Sequence, residues 1–390
     1  MAMAPLPITG FALCNGLGPD RRAVRDALYE GKCGLGPSPI EVPFETVVGA
    51  VRWALPELPA PLAPWSTRTA RIAALLLGDL QAPLEALRRR WQPGRIAVLL
   101  GTSTAGADVT ENAYRVYLAE GALPRDYDLF RHHTYGAILH VVRTLTGAEG
   151  PSWVVSTACT SSAKPLATAQ RLIASGLVDA AIVGGIDTLC AMTLRGFRSL
   201  DALSPEPARP FSSERRGLNI GEGGAFLLVE RAGDPVALLE GVGESSDAHH
   251  ISAPDPQGEG ARLAMARALA DAGVPASRVD HVNAHGTGTR LNDVAEAAAI
   301  EALVGREVPV VSTKGYTGHM LGAAGATEAA IAIFALTEGF IPASLGADPV
   351  DPKIGARIAV ERVHGRFARV LSNSFAFGGN NVSVLLGAPR

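Results

Sequence analysis

The chain has 390 residues, 47% apolar and 19% charged, with a formal net charge of −3. That length can bury a substantial core in two or three units of ordinary size, and the near balance of charge removes any electrostatic reason to expect a nucleic-acid partner. Cys14, Cys33, Cys159 and Cys190 are dispersed and lack CxxC spacing, which points away from a disulfide framework and toward a reducing, cytoplasmic setting.

The N-terminal run, Met1-Ala2-Met3-Ala4-Pro5-Leu6, has no basic region leading into an apolar core, so no secretory signal is expected. In chain order the pattern then predicts a helix over 68–87, strands over 96–100 and 153–156, a helix over 162–175, and strands over 180–183 and 225–229. Beyond these it predicts a helix over 260–272, a strand over 279–283, a helix over 293–303, a strand over 308–312, a helix over 323–338, and strands over 370–372 and 382–386. Several strands are continuous apolar runs, as expected of strands buried on both faces, and their alternation with helices predicts an α/β protein. The most apolar late stretch, 329–336, is too short to cross a bilayer, and no membrane insertion is expected.

Val154-Val155-Ser156-Thr157 recurs as Val310-Val311-Ser312-Thr313, each copy leading through a short loop into a helix of small residues. The repeat predicts two similar halves, 1–234 and 235–390, that meet near the turn at Ala232-Gly233-Asp234-Pro235. Pseudo-symmetry would then bring Cys159 and the loop from Lys314 to His319 toward one cleft.

Cys159 follows a strand and precedes a helix, where unsatisfied N–H groups and the positive end of the helix dipole are expected to favour its thiolate. His285 and His319 follow short apolar runs in Gly- and Thr-rich loops, and a neutral ring at either position suits stabilisation of a developing enolate oxygen. One thiol and two imidazoles at strand ends make an acyl-transfer site. His281 and His285 are four apart and His249-His250 adjacent, but no carboxylate or cysteine completes a ligand set, so no metal site is expected. Gly221-Glu222-Gly223-Gly224 precedes a strand rather than a helix and reads as a turn needing backbone freedom. Arg88-Arg89-Arg90, and likewise Arg195 and Arg198, are either solvated or a docking patch for an acidic carrier.

The motifs Thr157-Ala158-Cys159-Thr160-Ser161-Ser162, Arg209-Pro210-Phe211, Gly221-Glu222-Gly223, Asn283-Ala284-His285-Gly286-Thr287-Gly288-Thr289, Ser312-Thr313-Lys314, Thr317-Gly318-His319 and Asn373-Ser374-Phe375-Ala376-Phe377-Gly378-Gly379-Asn380, in this order, resemble the elongating β-ketoacyl synthases of the thiolase-like superfamily. The resemblance implies a five-layered α-β-α-β-α fold of two pseudo-symmetric halves, usually dimeric. It implies that Cys159 accepts an acyl chain as a thioester, that His285 and His319 promote decarboxylation of a malonyl unit and stabilise the enolate, and that Lys314 pairs with Glu328 beside them. The N–H groups of Cys159 and Phe377 would form the oxyanion hole, and Thr287, Thr289, Phe375, Phe377 and Phe197 would bind substrate. No cofactor is implied beyond the phosphopantetheine that carries the substrates. Acyl carrier protein is the implied partner, with a homodimer, or a heterodimer with a ketosynthase-like chain-length partner.

Thr160, Gly315-Tyr316 and Asn380-Asn381 depart from the family pattern, and are expected to act where chain shape or a gate is felt. The pattern is similar to synthases of specialised polyketide pathways, such as those making aryl polyenes. The alternatives are a non-catalytic chain-length partner, which the presence of Cys159 disfavours, and a coenzyme A-dependent thiolase or initiating synthase, which the paired histidines disfavour.

Overall fold

The computed structural model describes residues 3–389; Met1 and Ala2, where the reading for a secretory signal begins, and Arg390 lie outside the described residues. Ten strands form the main sheet. In the first half they are β1 (Leu6–Cys14), β2 (Ile96–Gly101), β3 (Ser152–Val155), β4 (Ala180–Asp187) and β5 (Gly223–Glu230). In the second half they are β6 (Ala237–Ser246), β7 (His281–Asn283), β8 (Val310–Val311), β9 (Arg369–Phe375) and β10 (Asn380–Gly387). The spatial order is β8-β7-β9-β10-β6-β1-β5-β4-β2-β3. Both halves follow one plan: three parallel strands in the order third, second, fourth, then the fifth and first strands antiparallel. The Val-Val-Ser-Thr repeat falls on the third strand of each half and the loop after it.

The longer helices are α1 (Arg21–Glu30), α2 (Arg68–Asp79), α3 (Gln81–Arg90), α4 (Ala107–Glu120), α5 (Tyr135–Thr146), α6 (Lys164–Ala174), α7 (Ala191–Ser199), α8 (Glu259–Ala272), α9 (Arg290–Val304) and α10 (Ala324–Glu338). Along β2 successive side chains alternate between two cores. Val98 and Leu100 pack outward with Leu76, Leu84 and Ile138 of α2, α3 and α5, while Ala97 and Leu99 pack inward with Leu166 and Ile173 of α6 and Ile333 of α10. In the second half, Val282 and Leu371 pack outward on Met265 and Leu269 of α8 and Ile300 of α9. The layers are therefore helix, sheet, paired helices α6 and α10, sheet, helix. Burial on both faces is why these strands read as unbroken apolar runs.

The expected 68–87 helix is two, broken at Leu80. Strands β1 and β6 escape an apolar reading because Pro7 and Gly10 interrupt one and Glu240, Gly241 and Gly243 the other. They are the seam: Leu6, Pro7 and Ile8 pair with Leu239, Leu238 and Ala237, so main-chain bonding runs unbroken from one half into the other. The segment 321–338 has the length and mean hydropathy, 1.3, of a membrane crossing, longer than the 329–336 run read from sequence. It is 83% buried as the central helix of the fold.

Candidate active site

Two strand-to-helix junctions build the site. After β3, Ala158 adopts a left-handed φ of +51°, and the loop is locked from within: Thr157 N–H donates to Ser161 Oγ at 2.9 Å and Ser161 Oγ–H to the Ala158 carbonyl at 2.6 Å. Gly101 of β2 is glycine because a Cβ there would lie 2.2 Å from the Ser161 carbonyl oxygen. After β8, the turn Lys314–Thr317 leads to His319, whose N–H donates to the Asn219 carbonyl at 2.7 Å. The junctions are tied together: Ser162 N–H donates to the Gly322 carbonyl at 3.0 Å and Ala326 N–H to Ser162 Oγ at 2.9 Å.

Cys159 Sγ and His319 Nε2 are 3.0 Å apart, and the His285 and His319 rings meet edge-on at 5.1 Å. The Lys314 Nζ lies 3.3 Å from His285 Nδ1, donates to the His285 carbonyl at 2.5 Å and pairs with Glu328. Because ammonium can only donate, His285 Nδ1 accepts and its proton sits on Nε2. Cys159, His285, His319, Lys314 and Glu328 are all buried.

Electrostatics correct one expectation. The helix after Cys159 starts only at Lys164, and burial, not a helix end, dominates the thiol, pushing it up to about 11. Lys314 and the N–H groups of Phe377 and Cys159 oppose that rise. Both histidines are held well below their ordinary value, first by burial and then by the Lys314 charge, so both rings are neutral. Burial raises Glu328 to about 6 against the pull of Lys314.

A cavity of about 1050 Å³ opens onto Cys159, His285 and His319. Thr287 and Thr289 line it, their hydroxyls 2.8 Å apart, as do Phe375, Phe377 and Phe197, the last two stacked at 5.7 Å. Of the departures from the family pattern, only Asn381 lines this cavity, bonding Asp247 at 2.8 Å. Thr160 turns to the Thr157 carbonyl at 2.8 Å and Tyr316 is packed in the core, and neither lines the cavity. Gly315 is required by packing, since a Cβ would meet the Leu345 carbonyl at 2.5 Å.

Among the described residues Cys159, His285 and His319 form one set of donor atoms, within 4.8 Å of one another, that a soft metal ion could use. The proton that Lys314 fixes on His285 Nε2 occupies the atom such an ion would need. His281 is elsewhere, its Nδ1 2.9 Å from the Pro309 carbonyl, and His249 and His250 are exposed. Of the arginine triplet, Arg88 donates to the Thr146 and Leu145 carbonyls and Arg90 to buried Glu230, while Arg89 is exposed. Arg195 is exposed, whereas Arg198 lines the cavity and lies 5.8 Å from the centre of the Phe44 ring. The turn expected over 221–224 is not one, since Gly223 and Gly224 already open β5, but Gly223 does use glycine's backbone freedom, with a φ of +138°.

Several supporting residues escaped the sequence reading. Glu296 accepts the N–H groups of His285 and Gly286, each at 2.7 Å, and burial raises it to about 7. Asp187 accepts from Thr102 and Thr104 at 2.6 Å and from Ala323 N–H at 2.9 Å, fixing the start of α10. The available signal was a carboxylate flanked by alanines in a helix for Glu296, and one ending an apolar strand for Asp187.

This constellation on a doubled α/β sheet defines a condensing enzyme fold, and the chain belongs to the β-ketoacyl synthase family: residues 77–234 match its N-terminal domain and 236–348 its C-terminal domain. It is 32% identical to 3-oxoacyl-[acyl-carrier-protein] synthase 2 of Mycobacterium bovis, covering 97% of this chain and 96% of that protein, and 32% identical to nodulation protein E of Rhizobium meliloti, covering 96% of each. Among solved structures it is similar to a ketosynthase, ApeO, in complex with its chain length factor ApeC from Xenorhabdus doucetiae (36% identity, TM-score 0.93, covering 99% of this chain and 98% of that one).

Proposed function

We propose that this chain catalyses a decarboxylating Claisen condensation, joining an acyl group held on Cys159 to malonyl carrier protein in fatty-acid or polyketide synthesis. The convergence of Cys159, His285 and His319 on one cavity, with Lys314 behind them, carries the reading.

With its thiol held near 11, Cys159 needs a base, and His319 Nε2 at 3.0 Å is within reach. As Sγ attacks the acyl thioester, the proton passes through His319 to the departing pantetheine sulfur. Charge on the carbonyl oxygen is met by the N–H groups of Cys159 and Phe377. Malonyl carrier protein then enters, its pantetheine arm along Thr287 and Thr289. His285 donates Nε2–H to the malonyl thioester oxygen, and His319 lies on the same side. Loss of carbon dioxide leaves an enolate that attacks the Cys159 thioester and releases the sulfur as thiolate, which solvent reprotonates. Two neutral rings suit the step, because a buried cation beside Lys314 would be repelled. No metal or further cofactor enters these steps.

The partners that fit are an acyl carrier protein and, at the open edge of β3, a second chain of the same fold. The similarity to a ketosynthase solved with its chain length factor supports a specialised polyketide role and a heterodimer, and a cysteine 3.0 Å from His319 supports this chain as the catalytic member. A cytoplasmic location follows from the same reading. Mass spectrometry after incubation with a panel of acyl carrier proteins tests it: acyl mass on Cys159 is expected, and its absence across the panel overturns it.

A further inference from the structure

Helix α7 carries Phe197 and Arg198 into the cavity, yet it is sparsely anchored. Of its nine residues only Ala191 and Leu194 are buried, and the side chain of its cap residue, Cys190, accepts no first-turn N–H, meeting only the Thr193 hydroxyl at 3.4 Å. Those N–H groups are taken from outside: Ala191 donates to Glu111 Oε2 at 2.8 Å and Met192 donates to Glu111 Oε1. Glu111 belongs to α4, 80 residues upstream. A carboxylate accepting two N–H groups at the positive end of a helix is a strong form of cap. Toward the other end of α7, the Phe197 ring stacks on Phe377 at 5.7 Å and 28°, and the Phe377 N–H faces Cys159 Sγ.

We infer that Glu111 is a positioning residue for the acyl site: by clamping the start of α7 it sets the Phe197 ring, which holds Phe377 in place and so decides what size of group reaches the sulfur. The proposal rests on Cys159 being the acyl acceptor for its biological meaning, but the size gate can be read without that assumption. Among the described residues no other side chain accepts a first-turn N–H of α7, and the Thr193 hydroxyl bonds only back to Cys190, so removing the carboxylate loosens the helix at the end opposite Phe197.

The test uses the full chain and compares the rates at which Cys159 is alkylated by iodoacetamide and by the bulkier N-phenylmaleimide, followed peptide by peptide in the mass spectrometer. Glu111→Ala is expected to raise the bulky-to-small rate ratio about tenfold. Phe197→Ala should raise it at least as much, and adding Glu111→Ala to Phe197→Ala should change it less than twofold, because both act through one ring. Glu111→Gln keeps an acceptor oxygen for one N–H and should fall between wild type and Glu111→Ala; it carries the test if the alanine variant does not fold. A wild-type ratio in the Glu111 variants, or independent multiplication of the two effects, overturns the proposal and leaves Glu111 a tie between α4 and α7. Acyl loading on the same samples separates the two readings: a wild-type chain that never loads defeats the proposed function, while the alkylation ratio still decides the role of Glu111.

Discussion

Strands β3 and β8 hold the same place in the two halves, each third in its half, each at an end of the main sheet, each leading through a loop into a central helix. Their surroundings differ. The outer edge of β8 is closed by the chain itself, with Val310 N–H donating to the Arg357 carbonyl at 2.9 Å and Ala359 N–H to the Val310 carbonyl at 3.0 Å. Among the described residues no main-chain bond closes the outer edge of β3, and Trp153 is 37% exposed. The chemistry differs in the same way. The β3 junction supplies a sulfur, and the β8 junction supplies the imidazole and ammonium that act on it. One backbone path, used twice, thus places complementary groups face to face, and leaves one edge open, the edge proposed above for a second chain.

The largest effect that sharpens this contrast is at the sulfur. Cys159→Ala should abolish acyl loading while leaving thermal unfolding within a few degrees of wild type; loading seen in the intact mass of the variant would remove Cys159 from its role. Next come the two rings. His319 contacts Sγ and should matter to both half-reactions, whereas His285, in the proposed mechanism, acts on the malonyl oxygen alone. Alanine at 319 should slow loading and condensation by roughly 10²-fold or more, while alanine at 285 should spare loading. Equal loading by both variants in single-turnover experiments would contradict the division of labour.

A third contrast is in pH. With the thiol near 11, iodoacetamide labelling of Cys159 should climb about tenfold per pH unit from 7 to 10 with no plateau; a plateau near neutrality would show a preformed thiolate. Glu328, raised to about 6, binds its proton more tightly folded than unfolded. Its contribution to stability is therefore present at low pH and lost as pH rises through about 6. The Lys314 ion pair has the opposite requirement, so condensation should fall with a single ionisation below about pH 6. Glu328→Gln should abolish that limb in a pH-rate profile, and a limb that persists would assign it to another group. The smallest expected effect on the isolated fold is at the open edge: Trp153→Asp should leave unfolding nearly unchanged but shift the assembly from two chains to one in light scattering. An unchanged assembly mass would place the partner elsewhere.

The site was more legible in the sequence than its electrostatics. Val154-Val155-Ser156-Thr157 and its copy marked the two junctions because a repeated fold repeats its strand-to-loop chemistry, and the motifs around Cys159, His285 and His319 did converge. The direction of the thiol shift did not follow, because proximity to a helix is visible in a string of residues and the depth of burial is not. Strands β1 and β6 were invisible for a related reason. Gly241 and Gly243 face α8 so closely that a Cβ would sit 2.4 Å and 2.0 Å from its carbonyl oxygens, so contact with a helix, not β-propensity, selected those residues. Asp187 and Glu111 act on N–H groups of distant segments, and Glu296 on those of the loop before its own helix, and such pairings depend on the path the chain takes.

The seam between β1 and β6 has a bearing on how this molecule could be taken apart. Cutting the connection after β5 would leave each fragment with a raw, apolar border whose natural mate is the other fragment. Two separately expressed pieces would be expected to precipitate alone and to regain solubility when mixed. An engineer wishing to insert a reporter would do better in a surface turn than along that border.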